Sequence, residues 1–547
     1  MSEINDKLIT LIKDALKNKF NLENKDNLIM IETPKEKKFG DYSTNIAMRL
    51  SKELHDNPFN IANLLKEELE KDELIKQVDV IKPGFINFFI KEDSLSKIIK
   101  TVIENNENFG RSDLNKGKNV MVEYVSANPT GDLHLGHARG AAYGDSLTRI
   151  LSFSGYDVLR EYYVNDAGNQ IEVLANSLFE RYKESLGLPF DLEKIGYQGK
   201  DVKILASKIK DKDSDKWIHE NKEDALRYFK DLGTELELDK IKKDLDLYRI
   251  SFDHYQSERE LYRTGKVEKG LEALKKSGYT YEEGGALWLK TTDFNDDKDR
   301  VLVKSDGSLT YLTPDISYHK DKFDRGYTHL IDILGADHHG YIARLKASLK
   351  ILGYNPDELE VLIIQIVRLM EDGKEVKMSK RTGNAITIRE LCEDVGVDVA
   401  RYFFLSKPID SHFDFDLTLA RKQSSDNPVY YIQYAYARMI SILNKDSSFE
   451  IKETYSLLNN PKELELMKLM DAFKKEIEEI SFSKEVNKLC NYIYKFAQTF
   501  HSYYNDSIII DDKNIELTKE RLALIKACSI VLKNALNLIG IEAKEKM

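Results

Sequence analysis

Cysteine is scarce: the 547-residue chain has three, Cys392, Cys490 and Cys528, odd in number and widely separated. That spacing gives no disulfide frame and no zinc-finger motif, and it predicts reduced thiols. Long apolar runs are missing too. The stretch at 361–367 is far shorter than the roughly 20 residues a helix needs to span a bilayer, so no membrane contact is expected. The first twenty residues mix Glu3, Asp6 and Asp14 with lysines, which predicts an amphipathic helix and not a signal peptide. Nor is there an excess of positive charge. With a net charge of −11, any nucleic-acid contact has to be made by local patches on an acidic molecule. No internal repeat and no low-complexity tail is visible. The expectation is a cytoplasmic protein with several cores.

What is present is a globular composition, 41% hydrophobic and 32% charged, which excludes a disordered or membranous chain. The length calls for roughly three to five domain-sized units. Residues 1–115 read as an α+β unit: an N-terminal helix, a lysine-rich loop, a polar stretch at 38–48 and an apolar strand at 84–90. Asp41, Ser43 and Thr44 suit a helix N-cap. Residues 105–118 are polar enough to be a linker.

The chain is organised around residues 118–143. A β-branched run at 120–125 predicts a strand, Asn128 to Gly131 is turn chemistry, and a helix is expected to start near Gly136. His134 and His137, three apart, can share one face of that helix beginning, beside free backbone N–H groups. A helix N-terminus favours an anion, so a phosphate site is one reading. Half of a metal site and a simple packed cap are the others.

A second strand is expected within 155–170, making a βαβ unit of a parallel sheet whose ligand edge lies at the strand ends. Residues 176–277 are charged and helical in pattern and read as an insertion. Residues 301–312 suggest a hairpin around Asp306 and Gly307. Residues 328–334 predict a strand that ends in the polar cluster Asp337, His338 and His339. The run 377–381, Lys-Met-Ser-Lys-Arg, is a basic loop suited to polyphosphate, or simply a solvated charge run. Residues 426–547 read as an all-helical domain of four or five helices. Tyr430, Tyr431, Tyr434 and Tyr436 begin it, as core residues or as platforms for unpaired bases.

His134-Leu-Gly-His137 in the first βα turn, with Lys377-Met-Ser-Lys380 some 240 residues later, resembles the paired signature motifs of class I aminoacyl-tRNA synthetases. The surrounding stretches at 39–44, 127–137, 160–166, 415–416, 427–438 and 540–547 resemble the arginyl-tRNA synthetases over essentially the whole chain. The resemblance implies a Rossmann-like α/β catalytic domain at 116–425 with a helical insertion at about 176–277. It also implies an N-terminal tRNA-contacting domain at 1–115 and an all-α anticodon-binding domain at 426–547. The implied activity joins L-arginine to its cognate tRNA through an arginyl adenylate, with transfer to the terminal 2′-hydroxyl. The partners are ATP as substrate, Mg2+ held mainly by the ATP phosphates, arginine and tRNA. No structural zinc and no protein metal cage is expected, and the family is typically monomeric. The alternatives are a nucleotidyltransferase using the paired histidines and a non-catalytic RNA-binding paralogue.

By the same resemblance His134 and His137 serve the phosphates and adenosine, and Gly136 lets adenine approach the backbone. Lys380, helped by Lys377 with Met378 and Ser379 alongside, closes over the leaving group. Many relatives lack the later lysine; this chain keeps it. Tyr311 and Asp315 match the guanidinium-side residues, and Glu123 and Asn128 those at the α-amino end. His338 stands where many relatives have glutamine, which puts that contact in question. The plainer readings are a core Tyr311, a capping Asp315 and a Glu123 buried in an ion pair.

Overall fold

The computed structural model describes residues 3–34, 36–197, 199–376 and 386–547. Lys377, Met378, Ser379 and Lys380 lie outside these described residues. The N-terminal unit packs the helix Glu3–Phe20 with Ile46–Leu54 and Pro58–Leu69 against a four-stranded antiparallel sheet. One expectation there is corrected: Asp41, Ser43 and Thr44 are not an N-cap. Ser43 and Thr44 belong to the strand Tyr42–Thr44, and Asn45 is the residue that precedes the helix. The Asp41 carboxylate accepts the Ile90 N–H at 2.8 Å and pairs with Lys468, while Tyr42 donates to Asp471 at 2.7 Å. The stretch therefore fastens the N-terminal unit to the C-terminal helices.

The central sheet has five parallel strands, β1 (Asn119–Glu123), β2 (Asp157–Val164), β3 (His254–Ser257), β4 (Leu330–Gly335) and β5 (Leu359–Ile364). Their spatial order is β5-β4-β1-β2-β3. This doubly wound order reverses direction between β1 and β4, and a crevice for ligand opens at such a switch point, outside the carboxyl ends of the strands. Val120, Met121 and Val122 are almost fully buried because helices cover both faces. The helix α1 (Leu135–Phe153) follows β1 and lies so close that a Cβ on Gly144 would stand 2.3 Å from the Tyr124 ring. Only glycine permits that approach.

The stretch at 176–277 is mostly helical, including α2 (Lys222–Leu247), but it also contains β3, the edge strand of the parallel sheet. The hairpin expected at 301–312 closes as a short one, with the Val303–Leu309 bridge flanked by Lys304 N–H donating to Ser308 O at 2.8 Å and Thr310 N–H to Leu302 O at 3.0 Å, while Arg300–Val303 also pairs with Ala286–Leu289. The helix α3 (Leu312–Asp324) begins directly afterwards. The C-terminal part holds four long helices, Pro428–Lys445, Pro461–Ser483, Asn487–Asp506 and Ile515–Leu538. The first two start with asparagine caps and a proline in the first turn. The three cysteines are buried free thiols, and burial pushes Cys392 up to about 12. Among the described residues no helix is long and apolar enough to cross a membrane.

Candidate active site

The site is built from two adjoining parts at the carboxyl edge of β1 and β4. The first is the turn into α1. His134 is the N-cap, with extended backbone; its Nδ1 accepts the Gly136 N–H at 3.1 Å, and His137 Nδ1 accepts the His134 N–H at 3.3 Å. The two rings stack with centroids 3.9 Å apart. Burial lowers the pKa of both, and with the neighbouring ring it takes His137 down to about 4. Both imidazoles are therefore neutral at pH 7. Because each Nδ1 is an acceptor, each Nε2 carries the proton, so the pair offers two N–H donors beside the positive end of α1. A Cβ on Gly136 would come within 2.9 Å of the His134 ring, so glycine lets that ring fold back onto its cap.

The segment that follows the basic loop returns to this turn. Leu135 N–H donates to Ile386 O at 3.0 Å, Ile388 N–H donates to Leu133 O at 2.8 Å, and Thr387 bridges His134. Thr387 then caps the helix α4 (Ile388–Val395). On the other side of the loop, Val376 N–H donates to Leu369 O at 2.8 Å, within a small sheet of Val367–Glu371, Lys374–Glu375 and Phe413–Asp416. Arg139 joins the two structures. It is fully buried, and its guanidinium donates to the carbonyls of Gln365, Pro408 and Ser411 at 3.1, 2.6 and 2.9 Å. The sequence reading overlooked Arg139, although a charged residue two past His137 on a small-residue helix is an unusual pattern.

The second part is a row of acids. Glu123 pairs in register with Asp332 on β4 and with Glu161 on β2, so three carboxylates stand side by side across neighbouring strands, all buried. Like charges in register repel, and the row exists because α3 lays cations along it. Lys322 Nζ lies 2.6 Å from Glu123 and 2.9 Å from Asp332; Arg325 forms two 2.7 Å bonds to Glu161. The Tyr318 hydroxyl lies between Glu123 and Glu161, 2.9 and 2.7 Å from their carboxylates, and its one proton is shared between them. His319 Nε2 reaches Asp332 at 2.7 Å, and its Nδ1 reaches the Asp315 carbonyl at 2.9 Å and the Asp315 carboxylate at 3.2 Å. Burial alone would depress His319, yet Asp315 and Asp332 outweigh it and raise it to about 10. Burial would raise Asp332, but Lys322 and His319 hold it well below the usual carboxylate range. Burial raises Glu123, which Lys322 only partly offsets.

Of the residues singled out from the sequence, Glu123 sits in this buried network, its other oxygen accepting Ser126 Oγ at 3.0 Å. Val125 and Ser126 just beyond it have φ of 67° and 41°, a strained turn for a β-branched residue, held by Ser126 Oγ accepting the Tyr163 N–H at 3.1 Å. Asn128 is half-buried and donates to Gln170 at 2.8 Å. Asp315 lies in the first turn of α3, near enough to Tyr341 that burial and the Asp315 charge together raise the pKa of that phenol; Tyr311, just before α3, is 80% exposed at the rim. His338 lies in the single turn Ala336–Tyr341 after β4, and its side chain is outside the described part. The sequence reading missed His319, Lys322, Asp332 and Glu161. Among the described residues no group of three or more His, Cys, Asp or Glu is placed to hold a metal ion.

A parallel sheet of this order, with paired histidines at the first βα turn and the end of a basic loop tied beside them, defines a class I aminoacyl-tRNA synthetase. Residues 98–406 match the family described as tRNA synthetases class I (R), catalytic domain; residues 6–90 match the arginyl tRNA synthetase N terminal domain, and 432–547 the DALR anticodon binding domain. Arginine–tRNA ligase 1 of Halalkalibacterium halodurans is 50% identical over 524 residues, 95% of this chain and 94% of that one. Arginine–tRNA ligase of Listeria monocytogenes is 48% identical over 553 residues, 100% of both chains. A putative arginyl-tRNA synthetase structure from Campylobacter jejuni superposes with a TM-score of 0.77 at 36% identity, covering 84% of this chain and 100% of that one. The chain belongs to the arginyl-tRNA synthetase family. These relatives lend no support to a nucleotidyltransferase or a non-catalytic RNA-binding paralogue.

Proposed function

We infer that this chain ligates L-arginine to its cognate tRNA at the expense of ATP. An arginine carboxylate oxygen bonds to the α-phosphorus while the bond to pyrophosphate breaks. The 2′-hydroxyl of the terminal adenosine then attacks the arginyl carbonyl and AMP leaves. No protein nucleophile is needed, so the work is positioning and charge stabilisation. The observation that carries this reading is the neutral pair His134 and His137, with both Nδ1 atoms occupied and both Nε2–H groups left to donate. Neutral donors suit a phosphate whose charge shifts between oxygens during the reaction.

In this reading Gly136 keeps the turn open to adenine, Met378 and Ser379 line the nucleotide, and Lys377 and Lys380 neutralise the leaving pyrophosphate. Mg2+, carried by ATP and not by a protein cage, would supply further neutralisation of phosphate charge beside Lys377 and Lys380. Asp315 meets the guanidinium edge-on, with Tyr311 and His338 at its rim, while Glu123 and Asn128 hold the α-amino end through the Ser126 turn. The C-terminal helices offer the tRNA an aromatic surface. Tyr434 is 45% exposed, Arg438 stacks 4.5 Å over its ring and 4.3 Å over Tyr504, and Tyr431 packs 4.4 Å from His501. Such faces stack on unpaired bases. Tyr436, by contrast, is buried core.

The test is ATP–pyrophosphate exchange across the twenty amino acids with cognate tRNA present. Exchange with arginine alone is expected, and preference for any other amino acid would sink the specificity.

A further inference from the structure

Helix α3 is bolted to two neighbouring strands by two of its own cations. Lys322 spans the register partners Glu123 and Asp332, and His319 grips Asp332 from one turn earlier. The same imidazole reaches back one further turn to Asp315; burial and the Asp315 charge together raise the pKa of the Tyr341 phenol from the turn after β4. The contacts form one continuous chain, Asp315 to His319, Asp332, Lys322 and Glu123, and on to Ser126. Its members between the two ends are at least nine-tenths buried.

We propose that His319 is a positioning residue for arginine selection: through this chain it fixes the Asp315 carboxylate relative to Glu123, so that the pocket measures the span between guanidinium and α-amino group. The proposal rests on Asp315 and Glu123 holding those two ends of the substrate. A carboxylate in the first turn of a helix turns freely about its own side-chain bonds unless a donor fixes it, and a planar guanidinium accepts it only edge-on. His319 can fix it because, as a cation, it carries a proton on both nitrogens at once, Nδ1–H serving the Asp315 main-chain carbonyl at 2.9 Å with the carboxylate paired beside it at 3.2 Å; a neutral imidazole has a single N–H. The two acids on either side keep it charged despite burial. The strands supply the other half of the gauge, since Asp332 and Glu123 are set by parallel register and cannot slide independently.

The experiment is steady-state aminoacylation by His319→Gln, with arginine and with homoarginine, which is one methylene longer. Losing a charge-assisted hydrogen bond should raise KM for arginine about ten-fold or more, with kcat and KM for ATP close to wild type. Inhibition by agmatine, which has the guanidinium but no carboxylate, should weaken in parallel. The preference for arginine over homoarginine should fall, which simple destabilisation does not cause. Tyr341→Phe, which removes one hydroxyl and no charge, should move the same values in the same direction by about three-fold, and it decides the matter if the His319 variant does not fold. Unchanged arginine KM and unchanged preference in the folded variants overturn the proposal. Asp315→Asn separates the two levels: loss of arginine binding there alone leaves the pocket reading intact and removes only the tether, whereas wild-type arginine KM in that variant overturns the pocket reading itself.

Discussion

His137→Ala separates chemistry from folding. The substitution deletes the acceptor of the His134 N–H and the ring stacked 3.9 Å from His134. A capping bond contributes about 0.5–2 kcal/mol and an aromatic pair about 0.5–1.5 kcal/mol, while alanine returns roughly 0.5 kcal/mol of helix propensity. The net loss is therefore about 0.5–3 kcal/mol, a few degrees in Tm for a domain of this size, and the protein stays folded. The effect on activation is larger. A preorganised donor facing developing phosphate charge contributes about 10²- to 10³-fold in rate, and the remaining imidazole loses the ring that holds it in place. Pyrophosphate exchange with arginine, ATP and tRNA should drop by at least that factor, while filter binding of tRNA, made by distant surfaces, stays at the wild-type level. Wild-type exchange in the variant would refute the role given to His137. So would a parallel loss of tRNA affinity, because it would mean that the turn shapes the tRNA surface instead of the phosphate site.

Gly136→Ala should leave stability nearly unchanged, since about 0.5–1 kcal/mol of helix propensity offsets a weakened cap; the displaced His134 ring should raise KM for ATP, and an unaltered KM would show that the close approach is irrelevant. Lys322→Met leaves Glu123 and Asp332 side by side without their shared cation and should cost about 3–5 kcal/mol in chemical denaturation, the usual loss on breaking a buried ion pair. The loss should shrink in mild acid, where Glu123, already raised by burial, takes up a proton; a variant as stable as wild type would contradict the geometry. His319 has a folded pKa of about 10 against an ordinary value of 6.5, so its contribution is complete below about pH 6.5 and is lost as pH rises toward 10. The stability difference between wild type and His319→Gln, followed by thermal melting, should narrow across that window, and a constant difference would refute the assignment. Asp332, held low by Lys322 and His319, works oppositely: its contribution is present above about pH 4 and fades as acid protonates it.

The stretch around His134 was legible because everything that shapes it is local. An apolar run makes the strand, Asn128 to Gly131 the turn, and small residues the helix, all within about two dozen positions. Asp41 was misread for the opposite reason. Its polar neighbours imitate a cap, but the partner that fixes it, Lys468, is 427 residues away. Strand β3 escaped because four residues, mostly half-exposed and set among charged helices, carry no readable alternation. The acid row is the clearest case. Glu123, Glu161 and Asp332 are scattered over more than two hundred residues, and only parallel register makes them neighbours. His319, Lys322 and Arg325 drew no reading from the sequence, and nothing in their spacing shows that Lys322 is fully buried.

Replacing a buried ionic row by apolar residues is often neutral or stabilising, so the row needs a reason beyond stability. The proposed substrate supplies one. Along the chain of contacts, four carboxylates, Asp315, Asp332, Glu123 and Glu161, face three cations, His319, Lys322 and Arg325. Asp321 and Lys266, which also join this set, cancel each other, so one negative charge is left over; among the described residues the half-exposed Asp315 is the acid of the four that has no lysine or arginine partner and shares His319 with Asp332. Arginine brings one positive charge beyond its self-cancelling ammonium and carboxylate, and that charge is on the guanidinium. A lysine would match the charge but not the two-pronged geometry, and citrulline would match the shape but leave Asp315 unneutralised beside buried acids. If Asp315 meets the guanidinium as proposed, the row would make the pocket select on charge and on fork shape together, and that selection would account for a desolvation cost that an apolar core would have avoided.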